Sequence, residues 1–365
     1  MRTASHNTFL LCIASALLGT QLLAAQEASS GLDLRATLTA QAVASNELTE
    51  APRSGSPMIA GSRSVVYPTW KINNNWFVTG ALQLVTRPYF FSELSTPGYG
   101  AKGEILQSTL NYSRIFRNGS VLVRAGQMSS AFGSFLLRYD DADNALVDLP
   151  IGYGYYYAPV SITGVAGAQA DATYRNWDAR LQFANSSPAN PRSIFAHDQY
   201  GNWAGGAGYT IRQGFRVGVS SYRGPYLDRQ YPYFFPGEAN PNKLPATAFG
   251  LDVNWAHGHT SAEGEMQRFV MTYHAIPTFS EWVGYGELKQ VLSPRWYIAA
   301  RNGFSSTSAS GKTQVVETAA GFRPDRLQLI KAGYEYEHLG AGTQRNDNVL
   351  AIQLITTLHR SVGRE

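Results

Sequence analysis

The 365-residue chain has one cysteine, Cys12, in an N-terminal segment that reads as removable. Past that segment, a disulfide framework and a thiolate zinc site are excluded. Charge is sparse, at 15% of residues, and the net +4 implies no nucleic-acid partner. No apolar run of about eighteen residues follows the N-terminus, which argues against membrane-spanning helices. The motifs G-x-S-x-G and H-E-x-x-H and a phosphate-cradling glycine loop are all missing. We therefore expect no catalytic residues, no cofactor and no enzyme activity.

Glycine, at 35 residues, and tyrosine, at 21, are frequent. Mean hydropathy is −0.21. Strands with one apolar and one wet face cancel in such a mean, as in membrane barrels. A soluble all-β protein would give the same value, so patterning has to decide. At the N-terminus, Arg2 precedes an apolar run from Phe9 to Leu18, then Ala24 and Ala25. This predicts a signal peptide over 1–25 and export of the remainder. Residues 26–32 read as a short periplasmic lead-in, and 33–365 as one barrel domain.

From residue 31 the text alternates in twos and is punctuated by turns. Leu34, Ala36, Leu38 and Ala40 alternate with Arg35, Thr37, Thr39 and Gln41. Further strands are predicted at 63–72, 76–87, 103–116, 120–129, 166–175, 177–186, 203–212 and 215–223. The series continues at 247–257, 260–272, 281–291, 295–305, 313–323, 326–338 and 347–359. Asn118-Gly119 is a strong hairpin signal between two of them. The count is about sixteen strands of about ten residues, the segment length of outer-membrane barrels. Tight turns and long connections alternate strictly, which is the bacterial barrel asymmetry of short periplasmic turns and long outer loops. Trp70, Trp76, Phe116, Trp177, Phe215, Trp255, Trp296 and Phe322 sit beside the tight turns, as an interfacial ring would. The expected fold is all-β: a transmembrane antiparallel barrel of about sixteen strands.

The third long connection, 130–165, is too long for a hairpin turn and too aromatic for a disordered linker. It is predicted to fold into the pore and narrow it. Residues 123–133, VRAGQMSSAFG, run a strand into this loop through Gly126-Gln127 and Phe132-Gly133. That step, with the signal segment, strand count and long third loop, resembles bacterial outer-membrane porins. The likeness is greatest to the phosphate-selective porin O/P-type and related sixteen-stranded porins. Ala131 stands where that pattern often has proline, and the last strand does not end on an aromatic residue. The resemblance implies a third loop that forms the constriction, and a homotrimer.

Alternation assigns the lumen. Arg35, Lys71, Arg87, Arg124, Arg180, Arg212 and Arg216 are predicted on the inner wall. Asp252, Glu263, Glu265, Glu317, Glu335, Glu337, Arg301, Arg323 and Lys331 share the inner parity of later strands. Asp140, Asp141, Asp143 and Asp148 of the third loop are expected to stand across the pore from Arg87, Arg124, Arg180 and Arg216, giving a transverse field. Tyr153, Tyr155, Tyr156 and Tyr157 anchor the loop or stack on sugar rings. Asp140-Asp141-Ala142-Asp143-Asn144 lacks the glycine and distal Glu of a calcium loop, so no metal is expected. His257-Gly258-His259 reads as turn chemistry.

The functional expectation is a water-filled outer-membrane channel for passive diffusion of small hydrophilic solutes and ions, surrounded by lipid. The alternatives are a channel selective for phosphate-like anions or saccharides, and an adhesive barrel whose outer loops dock a partner.

Overall fold

A computed structural model describes residues 30–50, 56–94, 99–135, 139–153, 160, 163–185, 201–225, 245–272, 274, 277–309, 311–340 and 345–363. The predicted signal segment, 1–25, lies outside them. In order the strands are β1 (Gly31–Ser45), β2 (Met58–Lys71), β3 (Trp76–Arg87), β4 (Gly100–Phe116), β5 (Gly119–Met128) and β6 (Val165–Tyr174). Then come β7 (Trp177–Asn185), β8 (Gly201–Arg212), β9 (Phe215–Pro225), β10 (Pro245–His257) and β11 (Thr260–Met271). The last are β12 (Phe279–Val291), β13 (Trp296–Thr307), β14 (Gly311–Phe322), β15 (Gln328–Leu339) and β16 (Arg345–Gly363). One four-residue helix, α1 (Glu47–Glu50), follows β1.

Each strand pairs antiparallel with its sequence neighbours, and β1 pairs with β16, so the sheet closes into a barrel. Closure removes the unpaired edges that an open sheet would carry. At the seam, Gly31 lies opposite Gly363 and Ser45 opposite Val349.

The two-residue period decides which side chains point in. In β10, every second residue from Ala246 to Asn254 is buried and the residues between are exposed. The sorting is the reverse of a water-soluble core. Leu84 is 58% exposed, Leu181 58% and Ile352 54%, all on the outer face. Gln41, Thr79, Asn111, Gln182, Gln267 and Gln353 are buried on the inner one. Aromatic pairs mark the tight-turn end: Trp76 with Tyr112, Trp177 with Tyr209, and Trp296 with Phe322, at centroid distances of 5.1, 4.7 and 4.5 Å.

Several strands run longer than the alternation reading has them. β2 begins at Met58 rather than 63, because Gly61, Ser62 and Ser64 hide the period among small residues. β16 spans 19 residues and starts at Arg345 rather than 347. Pro68 lies within β2, and the β2–β3 register skips from Val66↔Leu82 to Thr69↔Thr79 there, since proline supplies no ladder donor.

Candidate functional site

The connection between β5 and β6 is the centre of the buried polar contacts. Its described residues meet strand side chains of the buried parity at three places.

The first is a stretch beside β7–β11. Gln182 takes a hydrogen bond from the Ala131 amide at 3.0 Å and donates to the Ser129 carbonyl at 2.9 Å. Arg180 donates to the Gly133 carbonyl at 2.5 Å. The Ser134 hydroxyl donates to Glu265 at 3.0 Å. Phe132 is 1% exposed and packs with Ala131, Val160, Ala204, Tyr222 and Phe269.

The second stretch carries the acids, and their partners differ from the expected ones. Asp141 accepts from Arg63 at 2.9 Å, Thr39 at 2.8 Å, Tyr89 at 2.9 Å and Tyr139 at 3.0 Å. Asp140 accepts from Thr37 at 3.0 Å and from Tyr67. Arg35 donates to Asp143 at 3.1 Å. Lys331, 0% exposed, donates to the carbonyls of Asp141, Asn144 and Leu146 at 3.0, 3.3 and 2.6 Å. Glu317 accepts from the amides of Val147 and Asp148 at 2.9 and 3.1 Å. Arg301 bridges Glu317 at 3.0 Å to the Asp148 carbonyl at 3.0 Å.

These contacts set the charge states in the loop. Burial alone would raise the Asp141 carboxyl, but Arg63 and Lys331 more than offset it and hold it below the usual carboxylate range. Burial, then the Glu317 carboxylate, push Asp148 up to about 7. Burial also raises Asp143, against the pull of Arg35.

The third place is the turn Ile151–Tyr153 beside β12 and β13. The Tyr153 hydroxyl donates to Glu265 and accepts from the amides of Ser134 and Phe135 at 2.9 and 3.1 Å. The ring is buried and packs with Phe135 and Tyr285. Tyr155, Tyr156 and Tyr157 lie outside the described residues.

The Gly126-to-Gly133 step has a steric reason. Gly126 has φ +134°, and a Cβ there would come 2.2 Å from the Ser108 carbonyl. Gly133 has φ +77°, and a Cβ would come 2.3 Å from the Tyr153 hydroxyl. Gln127 donates to the Ile105 carbonyl at 2.6 Å.

The expected basic wall is distributed among local partners. Arg124 pairs with Asp171 at 2.9 Å, and Arg216 with Asp178 and Asp252 at 2.6 and 2.5 Å. Arg87 stands at a strand end, exposed, and pairs with Glu93 at 3.0 Å. Arg212 is exposed beside the turn, next to a register shift. Lys71 is buried on the inner parity, and its Nζ has no hydrogen-bond partner among the described residues. The loop acids are thus bonded mainly by β1 and β2, not opposed by Arg87, Arg124, Arg180 and Arg216. Arg63 was missed because it sits at the edge of the polar stretch 45–62. Counting back in twos from Lys71 reaches it.

The inner side chains of β3–β6 bond one another. Thr79 meets Thr109 at 2.9 Å, Asn111 donates to Thr79 at 3.1 Å, and Gln169 donates to Asp171 at 2.8 Å.

Two other constellations lie apart from this loop. Asp33, His359 and Ser361 meet at the tight-turn end, but carboxylate and hydroxyl approach the same imidazole nitrogen, at 3.0 and 3.5 Å. A relay needs both ring nitrogens. His257 stacks on Trp255 at 6.3 Å, as turn packing.

No family profile and no curated protein matches the sequence. Solved structures do match in fold. OprB of Pseudomonas putida superposes with a TM-score of 0.65 at 11% identity, over 93% of this chain and 96% of that one. The anion-selective porin from Comamonas acidovorans gives 0.61 at 11%, over 91% and 100%. The outer-membrane protein OmpT of Vibrio cholerae, in its trimer form, gives 0.58 at 10%, over 90% and 100%. The chain shares the closed-barrel fold of these outer-membrane proteins.

Proposed function

We propose that this chain is an outer-membrane porin, a non-enzymatic channel through which small hydrophilic solutes and ions diffuse. The observation that carries the reading is the inverted sorting of side chains: a broad apolar outer face around a polar, charged interior. In water such an outer face would be an aggregation liability. In a bilayer it is the lipid-facing band, and the closed ladder satisfies every strand where no water can. The fold shared with known porins supports an outer-membrane location, reached by export through the signal peptide at 1–25. A trimer fits the same fold.

In this reading the third loop folds inward against β7–β15 and β1–β2. Water then passes beside the β3–β6 wall. The solute path is polar, and Arg124 beside it is paired with Asp171. Ion preference then follows the balance of that pair, and an anion preference is the property that the Comamonas porin's name carries.

Conductance of the purified protein in planar bilayers, with its reversal potential in a salt gradient, tests the reading. We expect steady ohmic steps. Replacing Arg124 and Arg180 by alanine releases Asp171 and shifts the ratio toward cations. A sealed barrel refutes the channel, and an unchanged ion ratio refutes the electrostatic part. Liposome swelling over sugars and anions separates general from selective passage.

A further inference from the structure

One polar cluster at the long-loop rim has no part in the pore lining described above. Glu47 opens α1, Glu337 lies near the end of β15, and Asp347 near the start of β16. One carboxylate oxygen from each lies within 4.8 Å of the others. Glu47 is buried, and Asp347 is 1% exposed.

The donors nearby do not satisfy this group. Arg345 Nε donates to Asp347 Oδ1 at 2.7 Å, and another of its nitrogens is 3.8 Å from Glu47. Asn46 donates to the same Oδ1 at 3.2 Å. The other oxygen, Asp347 Oδ2, is buried and accepts no hydrogen bond among the described residues. A buried acceptor left without a donor is costly, and a buried carboxylate more so. Among the described residues, three carboxylates share one guanidinium, that of Arg345, beside that oxygen.

We propose that Glu47, Glu337 and Asp347 form a calcium site that clamps α1 of the first long loop to the β15–β16 rim. All three donors are hard carboxylate oxygens, which suit Ca²⁺ or Mg²⁺. Mg²⁺ demands near-ideal octahedral geometry, whereas Ca²⁺ accepts mixed mono- and bidentate carboxylates with water completing the shell. The irregular spacing of donors from a helix and two strands fits Ca²⁺ better. Asp347 Oδ2 gains its missing partner. The clamp lies two residues from the last seam pair, Ser45↔Val349, so the ion reinforces the point where the barrel closes.

Equilibrium dialysis with radioactive calcium, on the folded full barrel in detergent after EDTA treatment, tests this. We expect about one ion per chain, with Kd in the ~10⁻⁴–10⁻³ M range of weak extracellular sites. Glu337→Gln should weaken binding at least about tenfold. It is a mild change, since the Arg345–Asp347 and Asn46–Asp347 contacts remain. Asp347→Asn should do the same, with folding checked by circular dichroism. Magnesium should compete only in large excess. The proposal is overturned if the wild-type barrel binds no calcium at about 10 mM. It is equally overturned if both folded variants bind as the wild type does. Neither outcome depends on whether the barrel conducts.

Discussion

Arg63→Ala is the sharpest perturbation of the third loop. Arg63 is 2% exposed. It donates to Asp141 at 2.9 Å and to Gln83 at 2.6 Å, and its guanidinium lies 4.7 Å from the Tyr139 ring centre. Removing one partner of a buried pair costs about 3–5 kcal/mol, because the other charge is stranded. Asp141 keeps three hydroxyl donors, from Thr39, Tyr89 and Tyr139, so the lower end of that range, about 3 kcal/mol, applies. With ~1.4 kcal/mol per factor of ten, the amides of 139–148 should exchange with solvent about 10²-fold faster. Hydrogen exchange of the folded barrel reads this directly. Single-channel recordings should show a noisier open level. The double variant Arg63→Ala/Asp141→Asn removes the stranded charge as well as its partner. It should lose less protection than Arg63→Ala alone. If the two variants lose the same amount, or exchange at 139–148 changes less than about threefold, the ion pair does not hold the loop.

Asp148 gives a pH dependence. Its folded value, near 7, lies above the ordinary carboxylate value of 3.8, so the seated loop keeps a proton that an opened loop releases. Seating is therefore strongest near pH 4 and weakens as pH rises to about 7. Exchange at 139–148, corrected for intrinsic rates, should accelerate from pH 5 to 8, and Asp148→Asn should flatten that slope. Gly133→Ala forces a side chain into positive φ and against Tyr153, at a cost of about 1–3 kcal/mol. It should raise protease cleavage in the loop while the barrel keeps its strand content by circular dichroism.

Much of the barrel was legible because every strand has one apolar and one polar face. A period of two, repeated in strand after strand, sets the count, the turns and the parity. Arg35, Lys71, Arg124 and Lys331 share the parity on which their strands are buried. The loop obeys no such rule. Asp141 meets Arg63 across 78 positions and Lys331 across 190, and nothing periodic ties them together. Charges read as opposing rings turn out to be bonded to whichever inner side chain the loop passes. Arg87 and Arg212 are exposed because parity persists to a strand's end, but burial does not.

The seam between the first and last strands has a bearing on biogenesis. Its partners are separated by nearly the whole chain, from Gly31↔Gly363 to Ser45↔Val349. Loop-closure entropy makes such distant pairing the slowest step to reward. The polypeptide must be fully delivered before the cylinder can zip shut. A truncation that spares fifteen strands still leaves two raw edges, and a nascent sheet in that state would be a template for unwanted strand addition.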